Sequence, residues 1–121
     1  MPTKRFPHDK KQDSIEEMIR VNHAGEYGAR RIYQGQLSVL KGKKSENIIR
    51  KMAEQEDVHL DEFSKMISTR RMRPTLMLPV WHMGGYLLGA ASALLGEKAA
   101  MACTVAVEEV IDEHYAGQLE E

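Results

Sequence analysis

The segment "EQEDVHLDEF", residues 54–63, places four acidic residues and one histidine between Glu54 and Asp61. On a helix, residues three apart are neighbours, so Glu56 and His59 would lie on one face. Carboxylate oxygens and imidazole nitrogens together suit iron or manganese. A lone Glu-x-x-His is nevertheless frequent by chance, and it usually faces solvent. The orientation of Glu56 and His59 therefore decides whether this segment can bind a metal.

Apolar residues around this segment indicate that Glu56 and His59 point inward. Steps of three and four residues, the spacing of one helix face, join the two to Ile49, Met52, Phe63, and Met66 or Ile67. The other acidic residues fall off this face, and they are Glu54, Asp57, Asp61 and Glu62. The pattern predicts that Glu56 and His59 face the protein interior and that the remaining acidic side chains form a solvated surface.

Two further glutamates, Glu26 and Glu108, also occupy apolar helical faces. The face that contains Glu26 consists of Ile15, Ile19, Asn22, Glu26, Ala29, Tyr33, Leu37 and Leu40. The face that contains Glu108 consists of Met101, Thr104, Glu108, Ile111, Tyr115 and Leu119. Because both series follow the helical period, each glutamate is expected to point inward.

A helical hairpin that reverses near Gly42 would bring Glu26 and Glu56 to the same height. Glu26 precedes Gly42 by sixteen residues and Glu56 follows it by fourteen. At 1.5 Å per residue the difference of two amounts to about 3 Å along the axis. Because an unpaired buried carboxylate destabilises a fold, two at one height favour a shared cation.

This arrangement is half of a pattern found in helical bundles that bind two metals. Those bundles use a glutamate from each of two helices and a Glu-x-x-His from each of the other two. We therefore predict four metal ligands: Glu26, Glu56, His59 and Glu108. The alternative is a non-catalytic scaffold in which Glu26 and Glu56 pair with Arg30 or Lys51. Of the other histidines, His82 is expected at the edge of an apolar helix. His23 is expected to be exposed, with a position behind the ligands as the alternative.

Caps and helix breakers predict several helices, and strand-like alternation is absent from the sequence. Ser14 in "SIEE" matches a capping box and is expected to start the first helix. "KGKKS", residues 41–45, is expected to connect it to a second helix that starts at a Ser45 cap and ends before Pro74. A third follows Pro79, and "GEK" separates it from the last segment. The expected fold class is all-α.

Size and composition limit the kinds of protein this can be. A chain of 121 residues, 42% hydrophobic and 29% charged, suits one domain, which we place at residues 14–121 after a mobile polar arm at residues 1–13. A formal net charge of -1 argues against a nucleic-acid partner. The single cysteine, Cys103, fits a reducing compartment. The N-terminal residues lack the apolar region of a secretory signal.

Residues 76–95 contain no charged residue, which raises the question of a membrane span. Only sixteen residues separate Pro79 from Gly96, and a helix of that length reaches about 24 Å against a hydrocarbon core of about 30 Å. An interfacial or buried helix is the better interpretation. A ridge of small residues would let another backbone approach it closely, and this ridge consists of Gly85, Gly89 and Ala93.

Four long blocks resemble the di-iron demethoxyubiquinone hydroxylase family of ubiquinone biosynthesis. The blocks are "RVNHAGEYGARRIYQGQL", "EQEDVH", "RPTLMLPVW" and "LLGAASALLGEKAAMACTVAVEEVIDEHY", and the likeness covers residues 15–121 almost continuously. The resemblance implies a ferritin-like antiparallel helical bundle with two iron ions (Fe²⁺/Fe³⁺). It also implies that Glu26, Glu56, His59 and Glu108 are iron ligands, with Glu56 or Glu108 bridging the metals.

The resemblance further implies an O₂-dependent monooxygenase that hydroxylates a polyprenyl benzoquinol, with NADH or the quinol as reductant. His114 and Tyr115 match a His-Tyr pair expected near the quinone or the reductant, although a partly exposed polar role for His114 is equally open. Other ubiquinone-biosynthesis proteins are implied partners. The implied location is the cytoplasmic face of the cell membrane, or the matrix face of the mitochondrial inner membrane in a eukaryote.

Arginines beside the apolar segment favour contact with a membrane surface. Arg70, Arg71 and Arg73 immediately precede it, and each cation near an anionic lipid surface contributes about 1 kcal/mol. Cations at a helix C-terminus are also ordinary partners of the helix dipole. The sequence alone leaves both interpretations of the arginines open, contact with anionic lipid and pairing with the helix dipole.

One departure from the family pattern affects the expected site. Family members contain a second Glu-x-x-His, whereas this sequence contains one such motif. We therefore expect either a fragment that lacks the last helices of the bundle or a site completed by another chain, for example in a homodimer. The competing functions are an iron-binding or ferroxidase-like bundle and a catalytically incomplete, membrane-associated fragment.

Overall fold

The computed structural model describes the backbone of residues 7–120 and the side chains of residues 14–119. It contains four helices: α1 (Pro7–Leu40), α2 (Glu46–Thr69), α3 (Leu78–Leu94) and α4 (Glu97–Glu120). No strand occurs within residues 7–120. The predicted all-α class is therefore confirmed.

Helix α1 begins seven residues before the predicted start. It starts at Pro7, where a proline is well tolerated because the first helical turn leaves its backbone N–H groups unpaired. The prediction that Ser14 starts the helix is wrong, and the predicted boundary after residue 13 falls inside α1. Residues 1–6 of the predicted arm lie outside the described residues, and the arm's mobility stays a prediction.

Two glycines allow the turns between helices. Gly42, between α1 and α2, has a φ of 83°, and Gly96, between α3 and α4, has a φ of 119°, which is a backbone region that side chains disfavour. Ser45 does occupy the cap position of α2, but within the described structure its side chain makes no cap hydrogen bond. Its backbone N–H donates instead to the carboxylate of Glu97 at 3.1 Å.

Helix α1 lies at the centre and packs against each of the other three helices. Most of its predicted inward face is buried, whereas Ile15 and Leu37 are partly buried. The core contains Ala29, Ile32, Tyr33, Leu40, Ile49, Ala93 and Ala100. On α2, Ile67 is buried and Met66 is exposed, so Ile67 is the residue that continues the predicted inward face. Leu119, by contrast, was expected on the inward face of α4 and is exposed.

A buried amide joins α1 to α3 and α4. Gln36 is fully buried, and its Nε2 donates to Ser92 Oγ at 3.2 Å and to the carbonyl of Ala100 at 3.0 Å. The hydroxyl of Thr104 donates to Gln36 Oε1 at 3.1 Å. Because these polar groups satisfy one another, they can be buried without a large desolvation cost. The sequence analysis did not identify Gln36.

The small residues of α3 bring its backbone against that of α1. A Cβ at Gly89 would overlap the backbone carbonyl of Ile32, and a Cβ at Gly35 would overlap that of Tyr86. The ridge predicted at Gly85, Gly89 and Ala93 thus serves contact within the protein. Close backbone approach of this kind excludes even a methyl group.

Much of the surface of α3 is apolar and solvent-exposed. Its exposed side chains include Val80, Trp81, Met83, Leu87, Leu88 and Leu94. No helix within residues 7–120 has both the length and the apolar character needed to cross a bilayer.

Replacing Gly89 with alanine should separate α1 from α3. Because the added methyl group would overlap backbone rather than a movable side chain, we expect Gly89→Ala to lower the free energy of unfolding by about 3 kcal/mol. Urea unfolding followed by far-UV circular dichroism measures the change.

Gly84→Ala on the same helix is the matched control. A Cβ at Gly84 meets open space in the described structure, so this variant should unfold at equal or higher urea because alanine favours helix by about 0.5–1 kcal/mol. Equal stability of the two variants would contradict the proposed close packing.

Candidate metal centre

Glu26 of α1 and Glu56 of α2 meet His59 at one height of the helical hairpin. One ligand atom from each of these three residues lies within 4.8 Å of the other two. Glu26 is 1% exposed and Glu56 is 3% exposed. The local cause is the register of the two helices, since the turn at Gly42 reverses the chain almost midway between the glutamates.

His59 lies at the rim of this group rather than in the interior. Its side chain is 51% exposed, and its Nδ1 lies 3.6 Å from Glu26 Oε2 and 4.0 Å from Glu56 Oε2. The inward orientation expected for His59 is therefore only partly correct. A histidine at this position can reach both carboxylates while remaining accessible to water.

The remaining acidic residues of the opening segment are exposed, as predicted: Glu54, Asp57, Asp61 and Glu62. Asp61 pairs with Lys65 at 3.1 Å, and Asp57 accepts a hydrogen bond from the guanidinium of Arg30. Arg30 is thus engaged on the surface and does not neutralise Glu26. The structure therefore does not support the alternative in which Arg30 pairs with Glu26 or Glu56 in place of a metal.

Both buried carboxylates have an oxygen without a hydrogen-bond partner among the described residues. These atoms are Glu26 Oε2 and Glu56 Oε2, the same atoms that face His59 Nδ1. A buried, unpartnered polar atom costs about 1–3 kcal/mol, and natural folds rarely leave such atoms without a purpose. Two carboxylate oxygens and an imidazole nitrogen form a donor set that fits a divalent ion such as iron or manganese.

Burial controls the electrostatics of Glu26. Desolvation raises the pKa of the Glu26 carboxyl, and the nearby charge of Glu108 raises it further, whereas a hydrogen bond from Tyr115 and the charge of His59 act in the opposite direction. In the absence of a cation, the protonated form of Glu26 is therefore favoured relative to an exposed carboxyl. A bound cation would favour the ionised form.

Glu108 lies next to this group but outside it. It is partly buried, and its Oε1 accepts a hydrogen bond of 2.6 Å from the hydroxyl of Tyr33. Helix α4 therefore brings the fourth predicted ligand near Glu26 without placing it among the three that converge.

Tyr115 and His114, the two residues expected near the quinone or reductant, occupy different surroundings. The Tyr115 hydroxyl donates to Glu26 Oε1, and burial followed by this bond raises the pKa of the phenol. His114 is exposed, and its Nε2 lies 2.9 Å from Gln118 Nε2. Tyr115 therefore contacts the carboxylate group directly, whereas His114 lies on its outer side.

His23 is buried, so the expectation of an exposed side chain is wrong. It is 6% exposed, and desolvation lowers the pKa of its imidazole. His23 lies off the main apolar face of α1, but α1 contacts helices on more than one side.

His82 is exposed, and its Nδ1 lies 2.7 Å from the hydroxyl of Tyr27.

An apolar cleft opens between α1, α3 and α4. Its volume is about 700 Å³, and it is lined by Val21, Ala24, Gly25, Gly28, Ala29, Ile32, Val80, Trp81, Gly84, Gly85, Leu88, Cys103, Ala106, Val107, Val110 and Ile111. A second pocket of about 200 Å³ shares four of these residues, which are Val21, Gly25, Val110 and Ile111. The smaller pocket also reaches Asn22, Glu26, His114 and Tyr115, so it lies between the apolar cleft and Glu26.

Sequence reasoning missed two polar contacts beside the carboxylates. Asn22 of α1 and Gln118 of α4 exchange hydrogen bonds of 3.0 and 2.6 Å, and Tyr33 donates to Glu108. Asn22 and Tyr33 were visible as members of an inward face. Their partners were not, because the sequence does not show how α4 packs on α1.

Comparison with known proteins finds one matching family and several similar hydroxylases. The family model "Ubiquinone biosynthesis protein COQ7" matches residues 13–121. The chain is 58% identical over 106 residues to the 3-demethoxyubiquinol 3-hydroxylase of Rhodospirillum rubrum, which covers 86% of this chain and 50% of that protein.

Two mitochondrial proteins are similar over nearly the same region. The identity is 51% to the NADPH-dependent 3-demethoxyubiquinone 3-hydroxylase of Homo sapiens, over 88% of this chain and 49% of that protein. It is 43% to the 5-demethoxyubiquinone hydroxylase of Saccharomyces cerevisiae, over 87% of this chain and 46% of that protein. The chain spans about half the length of the curated relatives it matches.

Proposed function

Because the chain belongs to the ubiquinone biosynthesis protein COQ7 family, we propose that it carries part of the iron centre and the substrate cleft of an O₂-dependent hydroxylase. The proposed reaction is hydroxylation of the ring of a polyprenylated demethoxyubiquinol. The observation that supports it best is the pair of buried, unpartnered oxygens of Glu26 and Glu56, together with a small pocket that reaches Glu26 and adjoins a larger apolar cleft. The ferritin-like helical fold expected from the resemblance is the fold of this family.

Glu26, Glu56 and His59 would hold one iron ion, and Glu108 would contribute from α4. Iron bound there would supply the redox chemistry that activates O₂, with electrons from a reduced nicotinamide or from the quinol. The protein's own contribution is to keep one carboxylate oxygen of each residue, Glu26 Oε2 and Glu56 Oε2, buried and free of hydrogen bonds from the described residues. Such pre-positioned ligands bind a cation without first having to lose other partners.

Removing the carboxylate of Glu56 should abolish this metal site. We expect Glu56→Gln to lower the affinity for Fe²⁺ by about 100-fold or more, because even outer partners of metal ligands are worth 10–100-fold. The measurement is iron retained per chain after anaerobic desalting, together with thermal unfolding, since a ligand present at one hundred times its Kd stabilises a fold by about 2.7 kcal/mol.

Glu54→Gln is the control for loss of one acidic residue from the same helix. Glu54 is exposed on the opposite face, so this variant should retain iron like the unaltered chain. Equal iron retention by Glu56→Gln and Glu54→Gln would contradict the proposed centre.

The apolar cleft is suited to the isoprenoid tail of the substrate. Its lining is apolar throughout, and burial of hydrocarbon stabilises binding by about 25 cal/mol for each square ångström removed from water. A tail lying in the cleft would direct the ring into the smaller pocket beside Glu26 and Tyr115. There the polar groups of Asn22, His114 and Tyr115 offer hydrogen bonds to the ring oxygens, while the apolar walls limit access of water.

Gly25 lies where the two cavities join, so a side chain there should obstruct the path. A Cβ at Gly25 meets open space in the described structure, which means that Gly25→Leu should fold normally while its side chain projects into the junction. We expect binding of a short-chain demethoxyubiquinone to weaken at least about tenfold, or 1.4 kcal/mol. Trp81 is the only tryptophan of the chain and lines the cleft, so quenching of its fluorescence reports binding.

Gly117→Leu provides the comparison on α4. Gly117 also has open space around it in the described structure, but it lines neither cavity, so this variant should bind the quinone as the unaltered chain does. Unchanged quenching by Gly25→Leu would show that the quinone does not use this path.

The surface around the cleft suits attachment to a membrane. Val80, Trp81 and Leu88 line the cleft and are themselves exposed, so a lipid-dissolved substrate could enter without crossing water. Arg71 and Arg73 lie exposed just before α3. We propose that α3 lies on the membrane surface with these arginines against anionic headgroups. The human and yeast relatives are named mitochondrial.

Reversing the two charges should release the protein from anionic membranes. With about 1 kcal/mol for each charge, Arg71→Glu combined with Arg73→Glu should weaken binding to vesicles containing an anionic phospholipid by more than tenfold, measured by co-sedimentation. Lys43→Glu combined with Lys44→Glu, at the exposed turn between α1 and α2, makes the same change in net charge elsewhere. Equal sedimentation of the two variants would exclude this orientation on the membrane.

A further inference from the structure

The chain contains two glutamate–tyrosine pairs with the same spacing, one on α1 and one on α4. Tyr33 follows Glu26 by seven residues, and Tyr115 follows Glu108 by seven. Seven residues are close to two helical turns, so each tyrosine lies on the same face as its glutamate. Both faces point toward the cluster formed by Glu26, Glu56 and His59.

The hydrogen bonds of these pairs cross between the helices. Tyr33 of α1 donates to Oε1 of Glu108 on α4 at 2.6 Å. Tyr115 of α4 donates to Oε1 of Glu26 on α1. Each helix thus supplies a phenol to the carboxylate of the other helix, in a reciprocal arrangement. Tyr33 is fully buried and Tyr115 is partly buried.

The bond from Tyr115 leaves the two oxygens of Glu26 in different states. Oε1 accepts the phenol, whereas Oε2 is buried without a hydrogen-bond partner in the described structure and faces His59. A free carboxylate turns readily about its last torsion, which is broad. A phenol on one oxygen restricts this rotation and leaves the other oxygen directed toward the ligand group.

Both phenols act as hydrogen-bond donors in the structure, each to one carboxylate oxygen. A metal ligand that is itself hydrogen-bonded is held in orientation by that bond.

We propose that Tyr33 and Tyr115 are positioning residues that fix the rotation of Glu108 and Glu26, so that each carboxylate presents one defined oxygen to a metal ion. The two tyrosines do not bind the metal themselves. This inference rests on the proposed function, because it requires that these carboxylates bind iron.

Metal titration of tyrosine-to-phenylalanine variants tests the role directly. Tyr33→Phe and Tyr115→Phe each remove only a hydroxyl, and we expect each to lower the affinity for Co²⁺ and for Fe²⁺ by about 10–100-fold. The visible absorption of bound Co²⁺ should also shift, because that spectrum depends on the ligand geometry. Circular dichroism of the metal-free variants checks that they are folded. If Tyr33→Phe fails to fold, Tyr115→Phe carries the test.

Tyr27→Phe is the matched control on α1. Its hydroxyl lies 2.7 Å from Nδ1 of His82 and not against a carboxylate, so this variant also loses one hydroxyl and one hydrogen bond but leaves the proposed ligands untouched. We expect it to bind Co²⁺ with unchanged affinity and an unchanged spectrum. A loss equal to that of Tyr33→Phe would indicate a general packing effect and overturn the inference.

A double-mutant cycle distinguishes positioning from general destabilisation. In a Glu108→Ala background, Tyr33→Phe should have no further effect on Co²⁺ affinity, because its acceptor is gone. Tyr115→Phe should keep its full effect in that background, because its acceptor is Glu26. Equal effects of the two tyrosines in the Glu108→Ala background would overturn the crossed assignment.

The outcomes also separate this inference from the proposed function. Co²⁺ and Fe²⁺ binding by the unaltered chain, with no change in either phenylalanine variant, would overturn the positioning role and leave the metal centre in place. Failure of the unaltered chain to bind either ion would overturn the metal centre and the positioning role together.

Discussion

The burial of two carboxylates, Glu26 and Glu56, is the constraint on which the rest of the structure depends. Their unpartnered oxygens lie on the inner faces of α1 and α2, and such atoms are stable only if something else compensates for the lost hydration. Within the protein, the compensation is partial: protonation is favoured at Glu26, and a single phenol contacts it. A cation shared by Glu26, Glu56 and His59 would supply what is missing.

The packing of α1 determines both the site and the route to it. Close contact with α3 through Gly89 and Gly35 fixes one side of α1, and the buried amide of Gln36 ties the same region to α4. Toward the other end of α1, smaller side chains leave the cleft between the three helices. The tight end therefore holds α4 in place, while the loose end admits an apolar ligand to Glu26.

Much of this arrangement follows from the sequence, because helix period and turn position are local properties. The period gave the inward orientation of Glu26 and Glu56, and the glycine turn gave their common height. The period could not reveal the burial of His23 or Gln36, because α1 contacts three helices and is therefore buried on more than one face. The partner of Tyr33 and the exposure of His59 depended on tertiary packing, which one sequence does not encode in any short pattern.

The three converging residues differ in how firmly they are held, and this difference has a chemical consequence. Glu26 and Glu56 are enclosed on almost every side, whereas the imidazole of His59 is half exposed. Removing a bound ion would return two carboxylates to a costly unpartnered state but would merely rehydrate a histidine. The carboxylates should therefore determine where an ion binds and how tightly. The histidine, which adjusts more easily, completes the coordination from the solvent side.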